Sequence, residues 1–133
     1  MLHFDSDYME TAAPEILTRL QEIGCEQNTA YGLDPYSTAA AKKIAAACGK
    51  PNALVKFLVG GTQSNALVID ALLNRYEGVI AATSGHISIH EAGAIEFCGH
   101  KVIPLPAEDG KLSASFVEQY LNDFYADETH EHM

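Results

Sequence analysis

Two short stretches of the sequence carry residues that can do chemistry. One is Gly60-Gly61-Thr62-Gln63-Ser64-Asn65, and the other is Ser84-Gly85-His86-Ile87-Ser88-Ile89-His90-Glu91-Ala92-Gly93. The first lies between an apolar run and a helical pattern. Glycines there let the backbone come close to a ligand. The first N–H groups of the following helix lack internal partners and point outward with the positive end of the helix dipole. The Thr62 hydroxyl adds a donor. A phosphate fits such a turn without arginine or lysine. The pattern is not the dinucleotide GxGxxG, has no Gly-Lys-Ser/Thr, and is not GxSxG. The plainer alternative is that the glycines only make a tight strand-to-helix turn.

The second stretch supplies imidazoles. In an open α/β sheet, ligands bind beyond the carboxyl ends of the strands. His86 follows an apolar run, so it is expected on the same edge as Gly61 and Thr62. There it can stack on a flat ring or carry a proton. His86 and His90 have the i, i+4 spacing of metal ligands, but His-Glu-x-x-His is absent and the flanks read as a turn. No metal is assigned. The alternative is that His86 merely caps or hydrogen-bonds a loop. His130 and His132 read as solvated.

The elements that must position these residues follow from hydrophobic pattern and punctuation. Pro14, then Ile16, Leu17, Leu20 and Ile23, then Gly24, predict a helix. Residues 28–36 read as a loop, and Ser37 or Thr38 as the cap of a second helix over Ala39–Cys48. Leu54–Val59 reads as a buried strand. A helix follows down to Asn74. Gly78–Ala82 is expected as the next strand, His90–Phe97 as a helix, and Lys101–Leu105 as a third strand. Ser113 is expected to cap a helix through about Leu121. Alternation of this kind predicts an α/β fold with a parallel sheet covered by helices. The ranges read as a helical arm over 1–50, an alternating strand–helix core over 51–123, and an acidic tail over 124–133. Three parallel strands leave edges that need covering. The expectation is therefore the first part of a larger domain.

Bulk properties bound the partners. The 133 residues suit one domain, with 47% apolar and 20% charged residues. A formal net charge of −10 is repelled by nucleic-acid phosphates and anionic membranes, so neither is expected as a partner. The start lacks the basic and apolar regions of a signal peptide, and no apolar run approaches membrane-spanning length. Cys25, Cys48 and Cys98 show no CxxC pattern and read as reduced, mostly buried thiols of a cytoplasmic protein.

With these pieces in order, the chain resembles the N-terminal part of the low-specificity threonine aldolase and β-eliminating lyase family, within the fold-type I pyridoxal 5'-phosphate (PLP) enzymes. The matching residues are Phe4-Asp5-Ser6-Asp7, Tyr31-Gly32-Leu33-Asp34-Pro35, Phe57 through Asn65, and Gly85-His86 with Glu91-Ala92-Gly93-Ala94. The resemblance covers nearly the whole chain. It implies the parallel-sheet, helix-flanked N-terminal portion of an aspartate aminotransferase-like large domain. It implies that the backbone around Gly61, with Thr62 and Gln63, holds the PLP phosphate. It implies that His86 stacks on the pyridine ring and assists proton transfer, that Ser6 helps bind the substrate carboxylate, and that Tyr31 lines the active site. The implied reaction is retro-aldol cleavage of a β-hydroxy-α-amino acid such as threonine to glycine and an aldehyde. The implied assembly is a homo-oligomer with shared active sites.

One departure is Asp5, where many family members carry arginine before the Ser-Asp. A larger one is chemical. The reaction needs a Schiff-base lysine, an acid for the pyridinium nitrogen and an arginine for the substrate carboxylate. None of Lys42, Lys43, Lys50, Lys56, Lys101 and Lys111 lies in a context matching the cofactor lysine, and the arginines are Arg19 and Arg75. The expectation is that this polypeptide alone does not turn over substrate. The alternatives are a stand-alone phosphate- or nucleotide-binding module and one half of a split enzyme.

Overall fold

The computed structural model describes residues 9–130, which divide into two units at Phe57 and Leu58. Each unit is built from local rules that the sequence carries, with several differences of detail.

In the first unit, α1 spans Pro14–Ile23, with Pro14 pre-set for the first turn and Glu15 favourably placed at the positive end. Its apolar stripe is not buried, since Ile16, Leu17 and Leu20 are all exposed. Helix α2 spans Pro35–Ala47 and starts earlier than Ala39. The cap is Asp34, whose Oδ1 accepts from the Ser37 N–H at 2.7 Å. Ser37 and Thr38 therefore sit inside the first turn and do not cap it. Pro35 is the first helical residue, where its missing N–H costs nothing. A polar cluster joins the two helices. Arg19 Nη1 donates to Glu22 Oε2 at 2.7 Å, its Cζ lies 5.8 Å from the Tyr36 ring centroid, and the Tyr36 hydroxyl donates to Glu26 Oε2 at 2.7 Å. The hydrogen bond to Glu22 raises the Arg19 pKa, and the one to Glu26 raises that of Tyr36.

The expected strand over Leu54–Val59 is not formed. Its residues join no ladder, and Leu54 and Val59 are 83% and 93% exposed. An apolar run becomes a strand only when a neighbour takes its backbone groups. Among the described residues none does; the Val59 N–H instead donates to Gln63 Oε1 at 3.0 Å. The cysteines also differ from expectation. Cys25 and Cys48, just past the C-terminal ends of α1 and α2, are exposed, and Cys98 is half-buried.

The second unit is a β-α-β core with flanking helices. Helix α3 spans Gly61–Leu72, β1 spans Gly78–Ala82, α4 spans His86–Ile89, α5 spans Ala94–Phe97, β2 spans Lys101–Leu105, and α6 spans Ala114–Ala126. Strands β1 and β2 pair in parallel, with Gly78 opposite Lys101 and Ala82 opposite Leu105. Among the described residues the sheet has two strands rather than three. The core is Ala81, Ile95 and Val102, with Ala66, Ile69, Val79 and Ile87 packed against it. Helices α3, α4 and α5 thus cover the sheet. Buried His100 adds a polar tie, with Nδ1 3.2 Å from the Glu77 carbonyl and Nε2 3.2 Å from Asp70 Oδ1 on α3.

The expected helix His90–Phe97 is broken. Ala92 and Gly93 both take left-handed φ angles, of 51° and 76°. The chain turns there, which separates α4 from α5. Helix α6 continues past Leu121 to Ala126, so the first residues assigned to the acidic tail are helical. Ser113 holds the cap position, but its hydroxyl faces Ser115 Oγ at 2.6 Å instead of capping. His130 is exposed yet bonded, with Nδ1 2.7 Å from the Phe124 carbonyl, and its ring is stacked on Phe124. Among the described residues no helix is long and apolar enough to cross a membrane.

Two outcomes follow from this packing. Ile95 is 0% exposed, so Ile95→Ala should destabilise the second unit by about 2–5 kcal/mol. Val68→Ala, on the exposed face of α3, should lie within about 0.5 kcal/mol of wild type in the same denaturant titration. Hydrogen bonds from Ser37, first from its side chain and then from its N–H, hold the Asp34 carboxyl below its ordinary value. The cap therefore contributes fully above the ordinary value of about 3.9 and is lost as pH falls through the lower folded value. Asp34→Asn, which keeps a capping oxygen at every pH, should flatten the loss of α2 helicity between about pH 5 and about pH 2 in circular dichroism.

Candidate functional site

The site is built on the first turn of α3 and on the segment that follows β1. Gly60 precedes α3 and offers no side-chain cap. Among the described residues, nothing accepts from the N–H groups of Gly61, Thr62 and Gln63, and Thr62 is exposed. A Cβ placed on Gly60 or Gly61 would meet nothing within 4 Å. The turn is thus an open set of backbone donors with a hydroxyl beside them. Ser64 closes the turn from within, its hydroxyl donating to the Gly60 carbonyl at 2.9 Å.

His86 opens α4, four residues past the end of β1. Its placement depends on Gly85, whose N–H donates to the Ala82 carbonyl at 2.7 Å. A Cβ at Gly85 would stand 2.9 Å from that same carbonyl oxygen, too close for any real contact. Ser88 adds a second tie, donating from Oγ to the Ala82 carbonyl at 3.0 Å. The imidazole is therefore held at the carboxyl end of β1 by a short, rigid turn.

Glu91 joins the two halves. Its side chain is 0% exposed, while that of His86 is 60% exposed. Glu91 Oε1 accepts from Asn65 Nδ2 at 2.6 Å and lies 2.7 Å from His86 Nδ1. Glu91 Oε2 is buried without a hydrogen-bond partner among the described residues. Asn65 lies three residues after Thr62, on the same face of α3. The open donor turn and the imidazole are thus tied to one side of the unit through one buried carboxylate. The sequence reading placed them on a common sheet edge through a strand before Gly60. That strand is not formed, and the Asn65–Glu91–His86 contacts make the link instead. Neither Asn65 nor Glu91 was assigned a role from sequence. The available signal was their presence in the two motifs, but nothing in the spacing says that they touch.

Of the other candidates, Ser6 lies outside the described residues. Tyr31 belongs to the first unit, at a left-handed φ of 64° and 98% exposed. It borders a cleft of about 690 Å³ lined also by Ser37, Lys42, Ala45, Leu54 and Phe57. That cleft has no buried charged group, and its wall at Leu54 is 83% exposed, so it lacks the built character of the Glu91 site. His90 stands beside His86, with ring centroids 5.3 Å apart. Among the described residues no group of three or more histidines, cysteines or carboxylates could hold a metal ion.

A parallel β-α-β core with helices against it, an open helix N-terminus and a carboxylate-held imidazole at the strand end define an α/β domain with a candidate site at the strand's carboxyl end. The chain matches the family model described as Beta-eliminating lyase over residues 3–131, and it belongs to that family of lyases. It is 28% identical over 118 residues to a low specificity L-threonine aldolase of Pseudomonas sp. strain NCIMB 10558, covering 87% of this chain and 34% of the relative. It is 31% identical over 116 residues to the protein of the same name from Pseudomonas aeruginosa, covering 86% and 33%. A solved threonine aldolase from Leishmania major superimposes with a TM-score of 0.85 at 40% identity, over 89% of this chain and 34% of that one. The fold is accordingly that of the fold-type I α/β class, and the chain spans about a third of the length of the relatives it matches.

Gly85→Ala tests how strictly the imidazole is placed. The added Cβ collides with backbone, so the variant should lose about 1–3 kcal/mol and shift the NMR resonances of His86 and Ser88. An unchanged melt and unchanged His86 signals would show that the turn does not position the ring.

Proposed function

We propose that the chain is the cofactor-gripping front portion of a PLP-dependent lyase that cleaves β-hydroxy-α-amino acids, as in the conversion of threonine to glycine and acetaldehyde. The observation that carries this reading is the tie from the open α3 turn through Asn65 and Glu91 to an exposed His86. The names of the two Pseudomonas relatives and of the Leishmania protein support it.

The residues present suit this cofactor. Its phosphate requires several donors, and the N–H groups of Gly61, Thr62 and Gln63 with the Thr62 hydroxyl supply them at the positive end of a helix. Its flat ring requires a face to rest on, and the His86 imidazole, 60% exposed, provides one. When bound, PLP supplies an electron sink for the carbanion left by bond cleavage. The chain's own residues would bind and orient: Thr62 would hold the phosphate, and His86 would offer its ring face to the cofactor ring and a proton-accepting nitrogen to the substrate hydroxyl. Ser6 and Tyr31 belong to the same reading as substrate contacts. A lysine to bind the cofactor covalently has no counterpart among the matching positions. The proposal therefore gives this polypeptide binding and positioning rather than turnover, and the homo-oligomer belongs to the full-length enzyme.

Adding PLP to the purified chain tests the reading. The cofactor should bind reversibly, without an adduct that borohydride can trap on a lysine. Thr62→Ala should weaken binding about tenfold, the worth of one hydrogen bond to a charged group. Absence of PLP binding by the folded chain, or equal affinity in Thr62→Ala, contradicts the assignment.

A further inference from the structure

The Glu91 carboxyl group is the most unusual feature of the second unit. Charged side chains are almost never fully buried without a reason. Its Oε2 meets no donor among the described residues, so its whole hold on the structure is exerted through Oε1. That oxygen takes the Asn65 amide at 2.6 Å and faces His86 Nδ1 at 2.7 Å. A carboxylate only accepts. Asn65 Nδ2 can only donate, so Oε1 accepts from it and, as an ionised carboxylate oxygen, accepts from the ring as well. Nδ1 of His86 must then carry the hydrogen. In a neutral imidazole the other nitrogen is left with a lone pair. Nε2 has no partner among the described residues, and the ring is 60% exposed.

We infer that Glu91 is the positioning residue for His86: through Oε1 it fixes the Nδ1–H tautomer and turns the Nε2 lone pair outward, with Asn65 holding the carboxylate in place. A hydrogen bond from one ring nitrogen to a carboxylate sets which nitrogen is free to act. The same carboxylate, 2.7 Å away, faces the positive charge that the ring gains when Nε2 takes a proton. No bond to Glu91 forms or breaks; the proton arrives at Nε2 and leaves from it. The use of that lone pair on a substrate hydroxyl rests on the proposed lyase function, whereas the tautomer itself does not.

The tautomer can be read directly in the 133-residue chain. Two-bond ¹H–¹⁵N spectra at about pH 8.5, well above the ordinary imidazole value of about 6.5, distinguish Nδ1–H from Nε2–H. Wild-type His86 should show Nδ1–H in excess by about tenfold, against the preference of a free side chain for Nε2–H. Glu91→Leu, which removes the acceptor, should lose most of that excess, whereas Glu91→Gln, whose carbonyl oxygen still accepts, should keep part of it. Diethyl pyrocarbonate, which acylates an imidazole at its free nitrogen, gives a second readout. The rate at His86 relative to His90 should fall several-fold in Glu91→Leu. A wild-type His86 in the Nε2–H form overturns the inference without any variant having to fold. So does an unchanged tautomer ratio and acylation rate in Glu91→Leu. An Nδ1–H His86 in a chain that fails to bind PLP supports the pairing and removes only the lyase reading. A PLP-binding chain with Nε2–H His86 does the reverse.

Discussion

A carboxyl group closed off from water has to be met by donors, since an unsatisfied buried polar group costs about 1–3 kcal/mol. In this protein that demand falls on Glu91, where donors meet Oε1 and leave Oε2 without a partner among the described residues. Asn65 is brought to it from α3, and His86 from the start of α4. Just after it the chain turns sharply, Ala92 and Gly93 taking left-handed angles, and two short helices stand where one was expected. The phase of α3 follows too. With Asn65 turned toward the carboxylate, Thr62 lies on the same face one turn earlier, and the free N–H groups of that turn open beside it.

What was legible in the sequence was local. Strands β1 and β2 are short apolar runs ended by turn residues, and they form where the pattern puts them. Helix α1 starts at its proline for the reason proline is tolerated there. The same logic applied to Asp34-Pro35 would have started α2 correctly; reading Pro35 as part of a loop delayed that helix and gave the cap to the wrong residues. The Leu54–Val59 run shows the opposite difficulty. Its composition is that of a strand, but strand formation depends on neighbours that composition does not describe. Glu91 was out of reach for a similar reason. A glutamate in a polar segment is ordinarily solvated, and only the fold shows that residues 26 positions apart, Asn65 and Glu91, meet. The two chemical motifs were therefore found, while the side chain that joins them was not.

The energetics of the unit are those of a thin core. Ala81, Ile95 and Val102 form its centre, whereas Leu67, Val68, Leu72 and Phe97 remain exposed. With few buried side chains, polar ties carry a larger share of the specification of the fold. His100, between the Glu77 carbonyl and Asp70, fastens α3 near the start of β1, and Glu91 fastens it near the end. Two buried polar side chains at opposite ends of one strand thus fix the helix whose N-terminus forms the donor turn. The contacts that hold the donor turn in place are also contacts that hold the fold together.

The central claim is that the α3 turn and the His86 ring form one cofactor surface. Amide and imidazole chemical-shift mapping during addition of PLP tests it most directly. The account predicts saturable shifts concentrated at Gly61, Thr62, Gln63 and His86, with smaller ones at Asn65 and Glu91. Shifts confined to the cleft bordered by Tyr31 and Lys42, with the α3 turn and His86 unmoved, would contradict it.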